Sequence, residues 1–292
     1  MAGFSHVLNV IADDAADAAL RLKDIGPAVW LSPRRAFDIG FDGDLKVVAQ
    51  ARAMCGGDVN AVAVERRRKK LLVADMDSTI ITCECLDELA DQAGLKPEIA
   101  AITGRAMRGE IDFEGALRER VALLKGLKIS ALERTYRERV RLTAGARALV
   151  AAMKAHGAAT LLVTGGFTYF AQRVAAEAGF DRFRANSLLD DGNALTGEVA
   201  EPILGRDAKR AGLEEACARL GIALGEALAV GDGANDLDMV RRAGLGVAFH
   251  AKPILADAAS AVIAKADLAG LLYLQGYRDG EIAQAYPSFS AT

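Results

Sequence analysis

Four acidic residues stand where they could act on a single ligand. Asp75 and Asp77 follow the apolar run Leu71-Leu72-Val73-Ala74, and Asp232 and Asp236 follow Leu228-Ala229-Val230 within Gly231-Asp232-Gly233-Ala234-Asn235-Asp236. A third apolar run, 159–163, ends in Thr164-Gly165-Gly166, which offers a hydroxyl and bare main-chain amides. An aspartate after a strand can simply cap a turn or helix, but a cap does not require a second carboxylate two residues on. Carboxylates brought to one place repel one another unless a cation lies among them, and oxygen donors of this kind suit Mg²⁺. The chemistry on offer is therefore that of a metal-assisted carboxylate centre.

Such a centre needs elements that bring the ends of the runs together. Leu71–Ala74, 159–163, 228–230 and 245–249 are short and apolar throughout, as strands buried on both faces of a parallel sheet are. Helical stretches at 170–178, 208–220 and 235–243 separate them. This alternation predicts a doubly wound α/β domain, a Rossmann-like parallel sheet whose ligands bind outside the carboxyl ends of the strands. Between the first two strands a stretch of about 86–141, rich in helix formers, predicts a helical cap. The Asp191-Gly192-Asn193 turn predicts a β-hairpin over 187–199, projecting from the sheet.

Residues 5–65 read in the order βαββαβ, with strands at 6–12 and 60–65 and helices at 15–23 and 45–54. That order predicts a small α/β sandwich of the ferredoxin-like kind. The run Arg66-Arg67-Arg68-Lys69-Lys70 reads as a solvated linker, giving domains at 1–66 and 67–292. No catalytic cluster precedes the run, so a chain beginning near Arg66 is expected to fold and keep its activity.

Composition removes other classes. With 292 residues, 52% hydrophobic and 26% charged, the chain can bury a full core, and it contains no stretch long and apolar enough for a membrane span. A net charge of −3 gives little attraction for nucleic acid or an anionic membrane. Met1–Ala12 lacks a basic start and meets Asp13 and Asp14 at once, which predicts a cytoplasmic protein. The four cysteines form no disulfide framework, and Cys83 and Cys85 lack a second ligand pair at zinc spacing. None of His6, His156 and His250 stands in a hydrolase-triad context, and His250 reads as structural.

Together, Asp75-x-Asp77-x-Thr79, Thr164-Gly165, Lys209 and Gly231-Asp232-Gly233-x-x-Asp236 resemble the four motifs of the haloacid dehalogenase-type phosphatases. The stretches DMDSTIITCECLDE (75–88), MRGEIDFEGALRERVALL (107–124) and GDGAND (231–236) resemble the phosphoserine phosphatases of that superfamily more narrowly. The likeness covers about residues 70–270. By element order alone, the N-terminal module resembles the small ACT-like domains attached to some bacterial phosphoserine phosphatases.

The resemblance implies hydrolysis of phosphoserine to serine and phosphate, the last step of serine biosynthesis, with Asp75 as nucleophile and Asp77 as general acid and base. It implies Mg²⁺ held by Asp75, Asp232 and the main-chain carbonyl of Asp77, with Asp236 orienting the metal's shell from behind. Lys209 would tie the nucleophile to the phosphate and screen the attack, and Thr164, Gly165 and Asn235 would hold phosphate oxygens. Glu84 would bind the substrate ammonium and Arg120 its carboxylate, with Met107 and Phe113 closing an apolar wall. At helical spacing Phe113, Leu117, Arg120, Val121 and Leu124 share an inward face, and Arg118 points elsewhere. Thr164 stands where serine is common in the family, which keeps the hydroxyl. Transfer of the phosphoryl group to homoserine, hydrolysis of another small phosphomonoester, and a phospho-receiver module remain as alternatives, although a receiver has no need of Asp77. An amino-acid ligand for the N-terminal module and a homodimer are further expectations.

Overall fold

The computed structural model describes residues 3–43 and 45–290, apart from the side chain of Met107. Strands β1 (His6–Ile11), β2 (Val29–Ser32), β3 (Ala36–Phe41) and β4 (Asp58–Ala63) form an antiparallel sheet in the order β2-β3-β1-β4. Helices Ala15–Arg21 and Lys46–Met54 cover one face, where Leu8, Val10, Phe37, Ile39 and Val59 are buried. The intervening residues Val7, Ile11, Ala36 and Val62 pack into the core of the larger body, so both faces of the sheet are dry.

The larger body is built on β5 (Leu71–Ala74), β6 (Ala159–Phe167), β7 (Arg182–Asn186), β10 (Ala227–Gly231), β11 (Leu245–Phe249) and β12 (Ala261–Ile263), with β8 (Leu188–Asp190) and β9 (Leu195–Val199) outside the sheet. All neighbours in the order β12-β11-β10-β5-β6-β7 are parallel. The chain starts in the middle at β5, runs to one edge, then returns past β5 to build the other side. The reversal leaves a crevice beyond the carboxyl ends of β5 and β10, the place where open parallel sheets bind ligands. Leu72 and Ala74 point to one layer and Leu71 and Val73 to the other, which is why β5 reads as an unbroken apolar run.

The insertion after β5 holds four helices, Cys85–Ala93, Lys96–Met107, Phe113–Ala122 and Ile129–Arg139. The β8–β9 hairpin does not project freely. Gly126 N donates to Leu195 O at 2.8 Å and Leu195 N to Leu127 O at 2.9 Å, so the cap backs it. Strand β6 also runs past the predicted end at 163 to Phe167, with a register irregularity between Val163 and Phe167. Thr164 to Gly166 therefore belong to the last, distorted residues of a strand. Among the described residues no helix is long and apolar enough to cross a membrane.

The basic run is in part a clamp: Arg67 and Lys69 turn inward, while Arg66, Arg68 and Lys70 stay exposed as in a solvated linker. Arg67 donates to both carboxylate oxygens of Asp38, at 2.6 and 2.9 Å, and to the carbonyls of Leu274 and Tyr273 at 2.7 and 3.0 Å. Lys69 is buried and donates from Nζ to Gly225 O at 2.9 Å, while Arg68 pairs with Glu281 at 2.8 Å. Alongside, Asn60 exchanges two bonds with the main chain of Val262, and Asp58 accepts from the amides of Ala264, Lys265 and Ala266. A row of like charges in sequence says nothing of acceptors lying some two hundred residues away.

These bonds bear on the expectation that a chain beginning near Arg66 folds and keeps its activity. Truncation at Arg66 would uncover a dry sheet face and leave Arg67 without its carboxylate. The same clamp can be tested within the intact chain. Asp38→Ala is expected to lower unfolding stability by about 3–5 kcal/mol, the cost of stranding one member of a buried ion pair, as read from denaturant unfolding. A loss below 1 kcal/mol would mean that the clamp carries no weight.

Candidate active site

Three strands of the sheet bring the predicted chemistry together. Asp75 N donates to Val230 O at 3.0 Å, pinning the end of β5 to β10 and thereby the first aspartate to the loop that carries Asp232. Asp75 Oδ1 accepts from Met76 N at 2.7 Å and from Lys209 Nζ at 2.8 Å. Lys209 comes from helix Arg206–Leu220 and also reaches Asp236 Oδ1 at 2.7 Å, while Asp236 Oδ2 accepts from Gly233 N at 3.2 Å. Lys209 thus lies behind the carboxylates, 2% exposed, and Asp236 is fully buried beside it.

Asp75, Asp232 and Asp236 place carboxylate oxygens within 4.8 Å of one another. Burial and then the charge of Asp236 hold Asp75 well above the ordinary carboxylate range against the opposing pull of Lys209. Burial and Asp236 also push Asp232 up. One buried lysine is too little positive charge for three acids so close. The donor set, all hard oxygen, fits a divalent cation, which would restore the ionised forms.

Asp77 lies in a different environment. Its Oδ1 accepts from Cys85 N at 2.9 Å and its Oδ2 from the Thr164 hydroxyl at 3.1 Å, and Gly166 N in turn donates to that hydroxyl at 2.8 Å. Burial and then the charge of Glu84 push Asp77 up to about 6, against these hydrogen bonds. Between Asp77 and Glu84 the chain closes on itself. Ser78 takes the left-handed φ of 54°, its amide donates to Cys83 O at 3.2 Å, and its hydroxyl donates to Glu84 Oε1 at 2.7 Å. The spacing of Asp77 and Glu84 is therefore fixed by a short hydrogen-bonded loop.

A cavity of about 290 Å³ opens over these groups. Asp75, Asp77, Glu84, Phe113, Arg120, Thr164, Gly165, Asp232 and Asn235 line it, all of them singled out from the sequence. Lys209 and Asp236 stand behind the wall, and the side chain of Met107, last residue of its helix, lies outside the described residues. Phe113 closes the cap side: a Cβ on Gly165 would come within 3.2 Å of its ring, so glycine lets the ring seat against the strand end. Leu117, Val121 and Leu124 are buried on the inward face as the helical spacing predicts. Arg120 shares the cavity, with Nε on Ala116 O at 3.1 Å, whereas exposed Arg118 pairs outside with Glu201 and Glu114. Sequence reasoning missed Leu86, Asp87, Thr103, Phe167 and Lys252. Lys252 could have been found by applying to β11 the strand-end rule used for the other strands.

The sequence profile of the haloacid dehalogenase-like hydrolases matches residues 72–241, which run from β5 past β10 and include the cap and every acid of the site. The chain belongs to this family. Among relatives of this hydrolase, a phosphoserine phosphatase of Polaromonas sp. is 49% identical over 210 residues, covering 70% of this chain and 89% of the relative. In structure the hydrolase is similar to a haloacid dehalogenase family hydrolase of Salmonella enterica serovar Typhi, with a TM-score of 0.84 and 28% identity over 92% of this chain and 97% of the other. A substrate-bound phosphoserine phosphatase complex has a TM-score of 0.65 and 40% identity, covering 70% and 97% of the two chains.

Proposed function

We propose that this hydrolase converts O-phospho-L-serine to L-serine and phosphate through an aspartyl phosphate on Asp75. The observation that carries the reading is that Glu84 and Arg120 open into the same cavity as Asp75 and Asp77. A carboxylate for an ammonium, a guanidinium for a carboxylate and a nucleophile for a phosphate together match a phosphorylated amino acid.

Asp75, Asp232 and the main-chain carbonyl of Asp77 would hold the cation, with Asp236 behind them, and oxygen donors of this kind favour Mg²⁺. Bound there, Mg²⁺ would supply the positive charge that ionises Asp75 and offsets the phosphate. A carboxylate oxygen of Asp75 attacks phosphorus as the bond to the serine oxygen breaks, and Asp77 gives its proton to that oxygen. Asp77, now a base, takes a proton from the water that attacks the aspartyl phosphate, releasing inorganic phosphate and restoring Asp75. Lys209 holds Asp75 in place through both steps. The Gly165 amide and Asn235 stabilise the phosphoryl oxygens, and the Thr164 hydroxyl moves between Asp77 and phosphate.

Phosphate release from a panel of phosphomonoesters, with and without Mg²⁺, tests the assignment. Phosphoserine should lead the panel and metal removal should stop turnover. Formation of phosphohomoserine when homoserine is added would move the enzyme to the transferase alternative.

The raised pKa of Asp77 gives a pH signature. Its proton is needed in the first step, so single-turnover phosphorylation of Asp75 should fall on the alkaline side as Asp77 loses that proton, with bound phosphate moving this limb up and bound Mg²⁺ moving it down. Glu84→Gln removes a charge that favours the protonated form and should shift the limb to lower pH. An unmoved limb would mean that Asp77 is not the acid observed.

A further inference from the structure

Among the side chains that line this cavity, positive charge is scarce. Asp75, Asp77, Glu84, Asp87 and Asp232 line it, against only Arg120 and Lys252. Lys209 does not line it, being committed to Asp75 and Asp236 behind the wall. Arg120 stands on the cap helix close to Glu84 and Asp87, whose charges favour its ionised form against the effect of burial. Lys252 is the cation on the sheet side.

Its backbone is fixed with care. After β11 the chain turns at His250, which adopts a φ of 45° and is held by its amide on Ile263 O at 2.8 Å and its Nε2 on Ala266 O at 2.9 Å. Two residues later Lys252 N donates to Asp232 O at 2.9 Å, tying the lysine to the loop of the metal-site acids. Its side chain, whose charge favours the ionised form of Asp232, is held less closely. Among the described residues its ammonium makes no hydrogen bond or ion pair, and its nitrogen lies 3.9 Å from the position a Cβ on Gly233 would take. A strained, main-chain-anchored turn that delivers an ammonium held by no hydrogen bond over a bare glycine into an acid-lined cavity is more than a surface lysine needs.

We propose that Lys252 is a substrate-binding residue whose ammonium engages the phosphate group, both in the substrate and in the inorganic phosphate released from it. The inference rests on the phosphomonoester reading of the cavity. It does not depend on which alcohol carries the phosphate. Lysine suits this task as a mobile point charge, whereas the planar guanidinium of Arg120 suits a carboxylate.

The test uses the full-length enzyme loaded with Mg²⁺ and inorganic phosphate as the probe, by calorimetry. Lys252→Met should weaken phosphate binding about 5- to 30-fold, the range of one charge-assisted contact at a partly exposed site, and Lys252→Arg should restore it to within about threefold. The KM for phosphoserine and for phosphoethanolamine should rise in Lys252→Met by the same factor, since both present the same phosphate. Mg²⁺ titrated alone should bind Lys252→Met as tightly as the wild type or more so, because a neighbouring positive charge has been removed. Unchanged phosphate affinity, a loss that arginine does not restore, a loss confined to the carboxylate-bearing substrate, or weaker Mg²⁺ binding would each overturn the proposal. If the wild type binds phosphate but does not turn over phosphoserine, the functional reading fails while the calorimetry still decides the role of Lys252.

Discussion

Asp75→Asn is expected to abolish turnover, lowering kcat by about four orders of magnitude or more, because an amide oxygen cannot form the aspartyl phosphate. The substitution keeps the shape of the side chain, and the amide oxygen can still accept from Lys209, which reaches Asp75 at 2.8 Å. A thermal melt close to that of the wild type would show that the fold survives. Rapid quenching with radiolabelled substrate should trap an acid-resistant, hydroxylamine-labile adduct in the wild type and none in the variant. Normal turnover in Asp75→Asn would exclude covalent catalysis at this residue.

Arg120→Ala should lower kcat/KM for phosphoserine by about 30- to 1000-fold, equivalent to about 2–4 kcal/mol of transition-state binding, if the guanidinium forms a charge-assisted fork with the substrate carboxylate. Phosphoethanolamine, which keeps ammonium and phosphate but has no carboxylate, should be a poor substrate for the wild type and almost indifferent to the change. Arg118→Ala is the control. Its side chain pairs with Glu201 and Glu114 outside the cavity, so it should alter neither substrate by more than a few-fold. Equal losses for both substrates in Arg120→Ala would instead assign Arg120 to cap closure.

The site was legible in the sequence to the extent that its chemistry is written at strand ends. Asp75, Thr164, Asp232 and Asp236 follow or finish apolar runs, and a parallel sheet brings such positions to one edge whatever lies between them. Arg120 could be chosen over Arg118 because helical spacing is local information. What stayed hidden was set by distant partners. Nothing near Arg67 announces Asp38 or the carbonyls of Tyr273 and Leu274, and nothing near Asn60 announces Val262. Lys252 is a different case: its place after β11 was open to the strand-end rule, and only the bond from its amide to Asp232 lay out of reach of the sequence. The hydroxyl of Thr164 was expected on the substrate, and only the distorted end of β6 shows that it is bonded to Asp77.

The sheet β2-β3-β1-β4 bears consequences for how such chains can diverge. Leu8 and Val10 answer to the helices of that layer, while Val7 and Ile11 answer to the core beneath, and Asn9 donates at 3.1 Å to the carbonyl of Tyr273 in the far C-terminal part. A substitution in β1 is therefore screened by two neighbours that share no sequence. The ties to Tyr273, Val262 and the 264–266 turn all end on main-chain atoms, so the first sixty residues can be exchanged between relatives as a cassette only where the C-terminal backbone keeps its course.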